Sequence, residues 1–233
     1  MKIEIWSDYA CPYCYIGKRY LEQALAEFEH ANRVEVVYKA FELDPGAAKE
    51  ATTTTLSRIE YKYGKSKAQA QHMIDHIVSM GASVDLDMRY DSVQYTNTFD
   101  AHRLTKFATH QGKGLEMSER LFKAYFVQNL PLADKGVLIA IAGETGLDTV
   151  ETHTMLASNA FAEDVQADEN SAREIGIRSV PHMVINGKHY FAGAQSKNHL
   201  LTAIRSIWAQ LEACDQASLP GRVTSEIDGC STY

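Results

Sequence analysis

Ser7-Asp8-Tyr9-Ala10-Cys11-Pro12-Tyr13-Cys14-Tyr15-Ile16-Gly17 is the stretch on which the reading of this 233-residue chain turns. Residues 2–7 before it (Lys-Ile-Glu-Ile-Trp-Ser) alternate as a strand does. Behind it a helix is predicted over residues 12–30, with Leu21, Leu25 and Phe28 at helical spacing. Pro12 suits the first turn, where its missing N–H would have no helical partner. Cys11 and Cys14, two residues apart, can close a small disulfide. A helix N-terminus under Cys11 favours its thiolate, the attacking form in disulfide exchange. Cys14 falls one turn further in, where more burial and less of the dipole are expected.

Outward from this corner, residues 34–41 (Val-Glu-Val-Val-Tyr-Lys-Ala-Phe) read as a second strand. From Asp44 to Asn159 the pattern is helical, with segments predicted near 53–63, 66–80, 97–111, 114–129, 134–143 and 148–157. A helix at 160–175 ends at Gly176. Short strands at 183–186 and 189–192 flank Asn186-Gly187-Lys188, a hairpin signal because Asn and Gly tolerate positive φ. A last helix over 196–213 carries Leu200, Leu201, Ile204, Ile207, Trp208 and Leu211 on one wide apolar face. The pieces assemble into an α/β chain. A mixed sheet flanked by helices is built from residues 1–43 and 160–213, a helical insertion spans 44–159, and a mobile tail is expected over 214–233.

The order strand–helix–strand, helical block, helix–strand–strand–helix, with CPYC after the first strand and Ser179-Val180-Pro181 before the third, resembles the thioredoxin fold. The large helical insertion resembles its DsbA-like branch. The stretch 7–17, Val180-Pro181-His182-Met183-Val184-Ile185-Asn186, Gly193-Ala194-Gln195 and Asn97-Thr98-Phe99-Asp100-Ala101-His102-Arg103 are similar to the FrnE-like subgroup of polyketide-biosynthesis dithiol–disulfide isomerases. The resemblance covers about 1–213.

It implies a thiol–disulfide oxidoreductase or isomerase. Cys11 would be the nucleophile and Cys14 the resolving thiol, acting on peptide or small-molecule thiols and disulfides. It also implies a cis Pro181 facing the CPYC, with Val180 offering backbone groups to a bound chain. Pro12 and Tyr13 would tune the couple. Where this chain has Tyr13, DsbA has His; Tyr brings no positive charge, so a less oxidising couple is expected. Asp8 is either a proton acceptor for Cys14 or a polar residue at a strand end. Asn97, His102, Arg103, His182 and Gln195 are candidates for the substrate cleft, with core or surface roles as the alternative for His102, Arg103 and His182. No bound cofactor is expected; glutathione or a thioredoxin-type protein would serve as electron donor. The alternative is a glutathione-dependent isomerase or transferase like the 2-hydroxychromene-2-carboxylate isomerases and kappa-class transferases. Those relatives carry Ser where Cys11 stands and an acidic-basic pair where Ala194-Gln195 stands.

Other classes recede on composition. A net charge of −7 without a basic stripe argues against nucleic acid. No apolar run approaches the roughly 20 residues that cross a bilayer. Residues 1–10 lack the charged-then-apolar layout of a secretory signal, so a cytoplasmic protein is expected unless a leader was removed. A CxxC can be half of a zinc site, but the remaining cysteines, Cys214 and Cys230, form no second pair of that spacing. They are two spare thiols or a second redox pair. His72 and His76 stand at i, i+4 without a third ligand signal, so no metal is expected.

Overall fold

The computed structural model describes residues 1–217, with side chains through 213. Cys230, the side chain of Cys214 and most of the tail expected over 214–233 lie outside the described residues. Four strands form one sheet: β1 (Lys2–Ser7), β2 (Glu35–Ala40), β3 (His182–Ile185) and β4 (His189–Ala192), in the order β2-β1-β3-β4. β1 pairs parallel with β2 and antiparallel with β3, and β3 pairs antiparallel with β4. The parallel step requires a crossover, supplied by α1 (Pro12–Ala26).

β1 sorts its side chains by alternation. Ile3 and Ile5 face an apolar cluster with Leu21 of α1 and with Leu200, Ile204 and Trp208 of the last helix, α9 (Lys197–Ala217). Trp6 faces the other way, into a larger cluster that continues without a break into the inserted helices. Each fully buried aliphatic side chain contributes about 1.5–3 kcal/mol.

Between β2 and β3 the regular elements are helical: α2 (Thr55–Tyr63), α3 (Lys67–Ala82), α4 (Phe99–His110), α5 (Gly114–Phe126), α6 (Lys135–Glu144), α7 (Thr149–Ala157) and α8 (Ala162–Glu174). Several carry their own start signals. Thr54 accepts from the Ser57 amide, Ser66 and Gln69 form a reciprocal capping box, and Asp134 and Asp148 each accept from two amides of the following turn. Gly64 ends α2 in the left-handed conformation, φ 59°.

Several expected boundaries shift. α1 stops at Ala26, four residues early, because Phe28 turns in to pack edge-on against Trp208 at 5.6 Å and a 3-10 turn at Ala31–Arg33 redirects the chain into β2. α5 ends at Phe126, not 129, and Asn129 takes φ 54°. β3 runs one residue earlier than expected, since Asn186 (φ 50°) belongs to the turn with Gly187 (φ 66°). Asn186 Oδ1 accepts from the Lys2 amide at 2.8 Å, tying the hairpin to β1. α9 continues to Ala217, past the expected end at 213.

Candidate active site

The CPYC segment lies where β1 gives way to α1. Cys11 is the N-cap residue, extended at φ −97° and ψ 111°, and Pro12 opens the helix. The Cys11 amide donates to the Asp8 carbonyl at 3.0 Å, closing the turn. The buried Asp8 carboxylate accepts from the Ala10 amide at 3.2 Å and from the Leu43 amide at 2.7 Å. It therefore ties the CPYC turn to the loop that leaves β2. The backbone of Asp8 lies beside the Cys14 sulfur.

Opposite, the Val180–Pro181 peptide is cis, and the Val180 carbonyl accepts from the Cys11 thiol at 3.5 Å. Gly17, one turn beyond Cys14, faces the same segment: a Cβ there would sit in ordinary van der Waals contact with Pro181 Cγ at 3.4 Å and Ala194 Cβ at 3.5 Å.

The two cysteines are free thiols and both are buried, but they face different spaces. Cys11 lines a cavity of about 260 Å³. Cys14 does not; it faces a crevice of about 20 Å³ with Gly17, Pro181 and Gln195. Burial pushes the Cys14 thiol well above its ordinary range, and the adjacent Cys11 adds to that, against weaker opposite pulls from Ser7 and the Asp8 backbone. The arrangement offers one sulfur to a ligand and holds the second in reserve, protonated.

The cavity wall comes from three places in the chain. Ala10–Tyr13 forms one side and Arg178, Ser179 and Val180 another. The insertion supplies Thr55, Arg58, Ile59, Lys62 and Tyr63 of α2, Met73 and Ile77 of α3, Tyr125 of α5, and Tyr90 and Tyr95 from the segment between α3 and α4. Burial raises the hydroxyls of Tyr13, Tyr90, Tyr95 and Tyr125, so they stay protonated donors at neutral pH.

Of the residues expected near a substrate, none of Asn97, His102, Arg103, His182 and Gln195 lines this cavity. Arg103 is consumed elsewhere. Its guanidinium is buried, pairs with Asp100 at 2.6 Å and donates to the carbonyls of Met155, Ser158 and Ala160 at the end of α7. Asn97 bridges backbone, donating to the Pro45 carbonyl and accepting from the Phe99 amide. His102 lies behind the CPYC turn, its Nε2 3.6 Å from Asp8 Oδ1 and its ring 4.9 Å from that of Tyr9. His182 opens β3, and burial lowers its pKa. Gln195 donates to the Ala192 carbonyl and borders the crevice at Cys14. His72 and His76 are both exposed on α3.

Residues unnoticed in the sequence also belong here. Arg58, Lys62 and Arg178 bring positive charge to the cavity wall. The i, i+4 spacing of Arg58 and Lys62, and the place of Arg178 just before Ser179-Val180-Pro181, were the available signals. Glu42, buried near Asp8 and His102, has its carboxyl pushed up to about 7 by burial, against the charge of His102.

Residues 2–205 match the family described as DSBA-like thioredoxin domain. The chain is 28% identical over 207 residues to the uncharacterized protein YwbO of Bacillus subtilis (strain 168), covering 87% of this chain and 94% of that one. It is 34% identical to a structure of a probable DsbA oxidoreductase from Streptomyces coelicolor, with a TM-score of 0.86 over 100% of this chain and 99% of the other. A 2-hydroxychromene-2-carboxylate isomerase shares the fold at 13% identity, with a TM-score of 0.68 over 94% of this chain and 100% of that one. With the match spanning nearly its whole length, and a CPYC turn set against Val180–Pro181, this chain belongs to the DsbA-like thioredoxin-domain family of thiol oxidoreductases.

Proposed function

We propose that this protein exchanges thiols and disulfides through Cys11 and Cys14, on small-molecule or peptide substrates. The observation that carries the reading is the asymmetry of the pair: Cys11 lines the cavity while Cys14 sits behind it, its thiol raised by burial. Cys11, as thiolate, attacks one sulfur of a substrate disulfide R–S–S–R. An S–S bond forms to Cys11 and the substrate S–S bond breaks, releasing one R–S⁻. Cys14 then loses its proton and attacks Cys11, forming the Cys11–Cys14 disulfide and releasing the second R–S⁻. Two electrons pass from the protein dithiol to the substrate, and the two thiol protons leave with the products. The reverse sequence oxidises a dithiol, and the direction follows the relative potentials.

The Val180 carbonyl, within 3.5 Å of the attacking sulfur, supports a positioning role for the segment before Pro181. The test is dithiothreitol-driven reduction of insulin. Catalysis is expected from the wild type, with Cys11→Ser falling to the uncatalysed rate. Equal turnover by wild type and Cys11→Ser on insulin, and also on the small substrate bis(2-hydroxyethyl) disulfide, would contradict the proposal.

A further inference from the structure

We infer that the cavity at Cys11 selects small thiols and disulfides that carry negative charge, with Arg58 and Arg178 as its specificity-determining residues; this rests on the exchange reading above. Two features of the wall point there.

The first is charge. Arg58, Lys62 and Arg178 all line the cavity, and among the described residues no Asp or Glu does. The chain as a whole is acidic, at −7. Its interior and interface cations are mostly paired: Lys18 and Arg19 with Glu119, Lys39 and Lys106 with Asp168, Arg103 with Asp100. Among the described residues, no carboxylate lies within ion-pair distance of Arg58, Lys62 or Arg178. Asp44, next to the lining residue Leu43, takes the hydroxyl of Tyr95 at 3.2 Å. Cations left without partners around a concave, partly apolar site focus a positive field at its mouth, which raises the local concentration of anions and their rate of arrival.

The second is shape. Arg58 lies over the Tyr95 ring, which fixes its guanidinium while leaving N–H groups free for a carboxylate. Its charge reaches Tyr90, Tyr95 and Tyr125 as well. The protonated hydroxyls of Tyr90 and Tyr125 add neutral donors beside the cation, while that of Tyr95 is taken by Asp44. At about 260 Å³ the cavity suits one small molecule rather than a folded segment of another protein. The chemistry that meets all these conditions is a low-molecular-weight disulfide with a carboxylate a few bonds from sulfur. The sulfur would reach Cys11 while the carboxylate met Arg58 and Arg178. The exchange step is the one written above, with R carrying the carboxylate.

The experiment oxidises the reduced full-length protein with three symmetric disulfides: 3,3′-dithiodipropionate (dianion), bis(2-hydroxyethyl) disulfide (neutral) and cystamine (dication). Each second-order rate constant is divided by that of dithiothreitol with the same disulfide, which removes differences in leaving-thiol reactivity. At low salt the normalised rate for the dianion is expected to exceed that for the dication by about tenfold or more. The preference should shrink as salt rises, because exposed charges are screened. In Arg58→Gln/Arg178→Gln it should fall towards parity. A role limited to activating Cys11 would change all three rates together and leave their ratio fixed. Normalised rates that are equal, or that favour the dication, overturn the inference alone. So does a wild-type preference indifferent to salt, a check that holds even if the double variant fails to fold. If none of the three oxidises the protein, the exchange reading falls and this inference with it.

Discussion

Glu42 is a carboxyl whose setting makes pH a readout of the ground behind the CPYC turn. Its folded value near 7 lies above the ordinary 4.5, because burial disfavours the anion more than His102 favours it. The folded state therefore binds more protons than the unfolded chain between those values. Glu42 stabilises the fold below about pH 4.5, and that contribution is lost as pH rises through 7. Denaturant unfolding at pH 5.5 and pH 8 should show this loss for the wild type, and Glu42→Gln should flatten it. A slope unchanged by Glu42→Gln would assign the effect to other groups. Cys11, Cys14 and Pro181 could be read from the chain because their chemistry is carried in a few adjacent residues. Glu42 could not, since its setting depends on distant helices: α4 brings His102 to it, and Glu169 of α8 accepts from its amide. Asp8 was left between two readings, and the structure shows its carboxylate occupied by two backbone amides.

At the scale of elements, α8 is held to the sheet and to α4 of the insertion by buried polar groups as well as by apolar contact. Asp168 of α8 is buried, accepts from the Ala40 amide of β2 at 2.8 Å and pairs with Lys39 at 3.2 Å and with Lys106 of α4. Removing one partner from such a cluster leaves uncompensated charge, so Asp168→Ala is expected to lower stability by about 3–5 kcal/mol, measured by urea unfolding. Asp168→Asn, which keeps an acceptor for the Ala40 amide, should cost less. Gly64, left-handed at the end of α2 with open space around it, should cost about 1–2 kcal/mol on replacement by Ala, through backbone strain alone. Helix starts were legible because their caps are local: Ser66 with Gln69, and Asp134 and Asp148 with the next turn. Helix ends were less so. α1 stops where Phe28 finds Trp208, 180 positions away in the chain, and no signal at residues 26–30 announces that contact. Arg103 shows the same limit. Its neighbours in sequence suggest a cleft, while its partners are carbonyls at the far end of α7.

Over the whole molecule, the fold makes one continuous core of the sheet's inner face and the inserted helices, and α1 is packed into it. Phe122 of α5 is fully buried and meets Tyr9 and Tyr15 on either side of CPYC, with ring centroids 4.9 and 5.1 Å apart. Phe122→Ala should cost about 3–5 kcal/mol and slow exchange by loosening α1 against α5, read by denaturation and by turnover on the same sample. The strand order and the presence of a helical block followed from periodicity along the chain. The cavity did not, because Cys11, Arg58, Tyr95 and Arg178 come together only when three distant segments dock. The central claim is that Cys11 attacks and Cys14 resolves. Its most direct test is peptide-level mass mapping of the reduced Cys14→Ser and Cys11→Ser proteins after exposure to bis(2-hydroxyethyl) disulfide. A stable mercaptoethanol adduct on Cys11 in the first, with little on Cys14 in the second, is the predicted result. Faster modification of Cys14 in Cys11→Ser than of Cys11 in Cys14→Ser would contradict it.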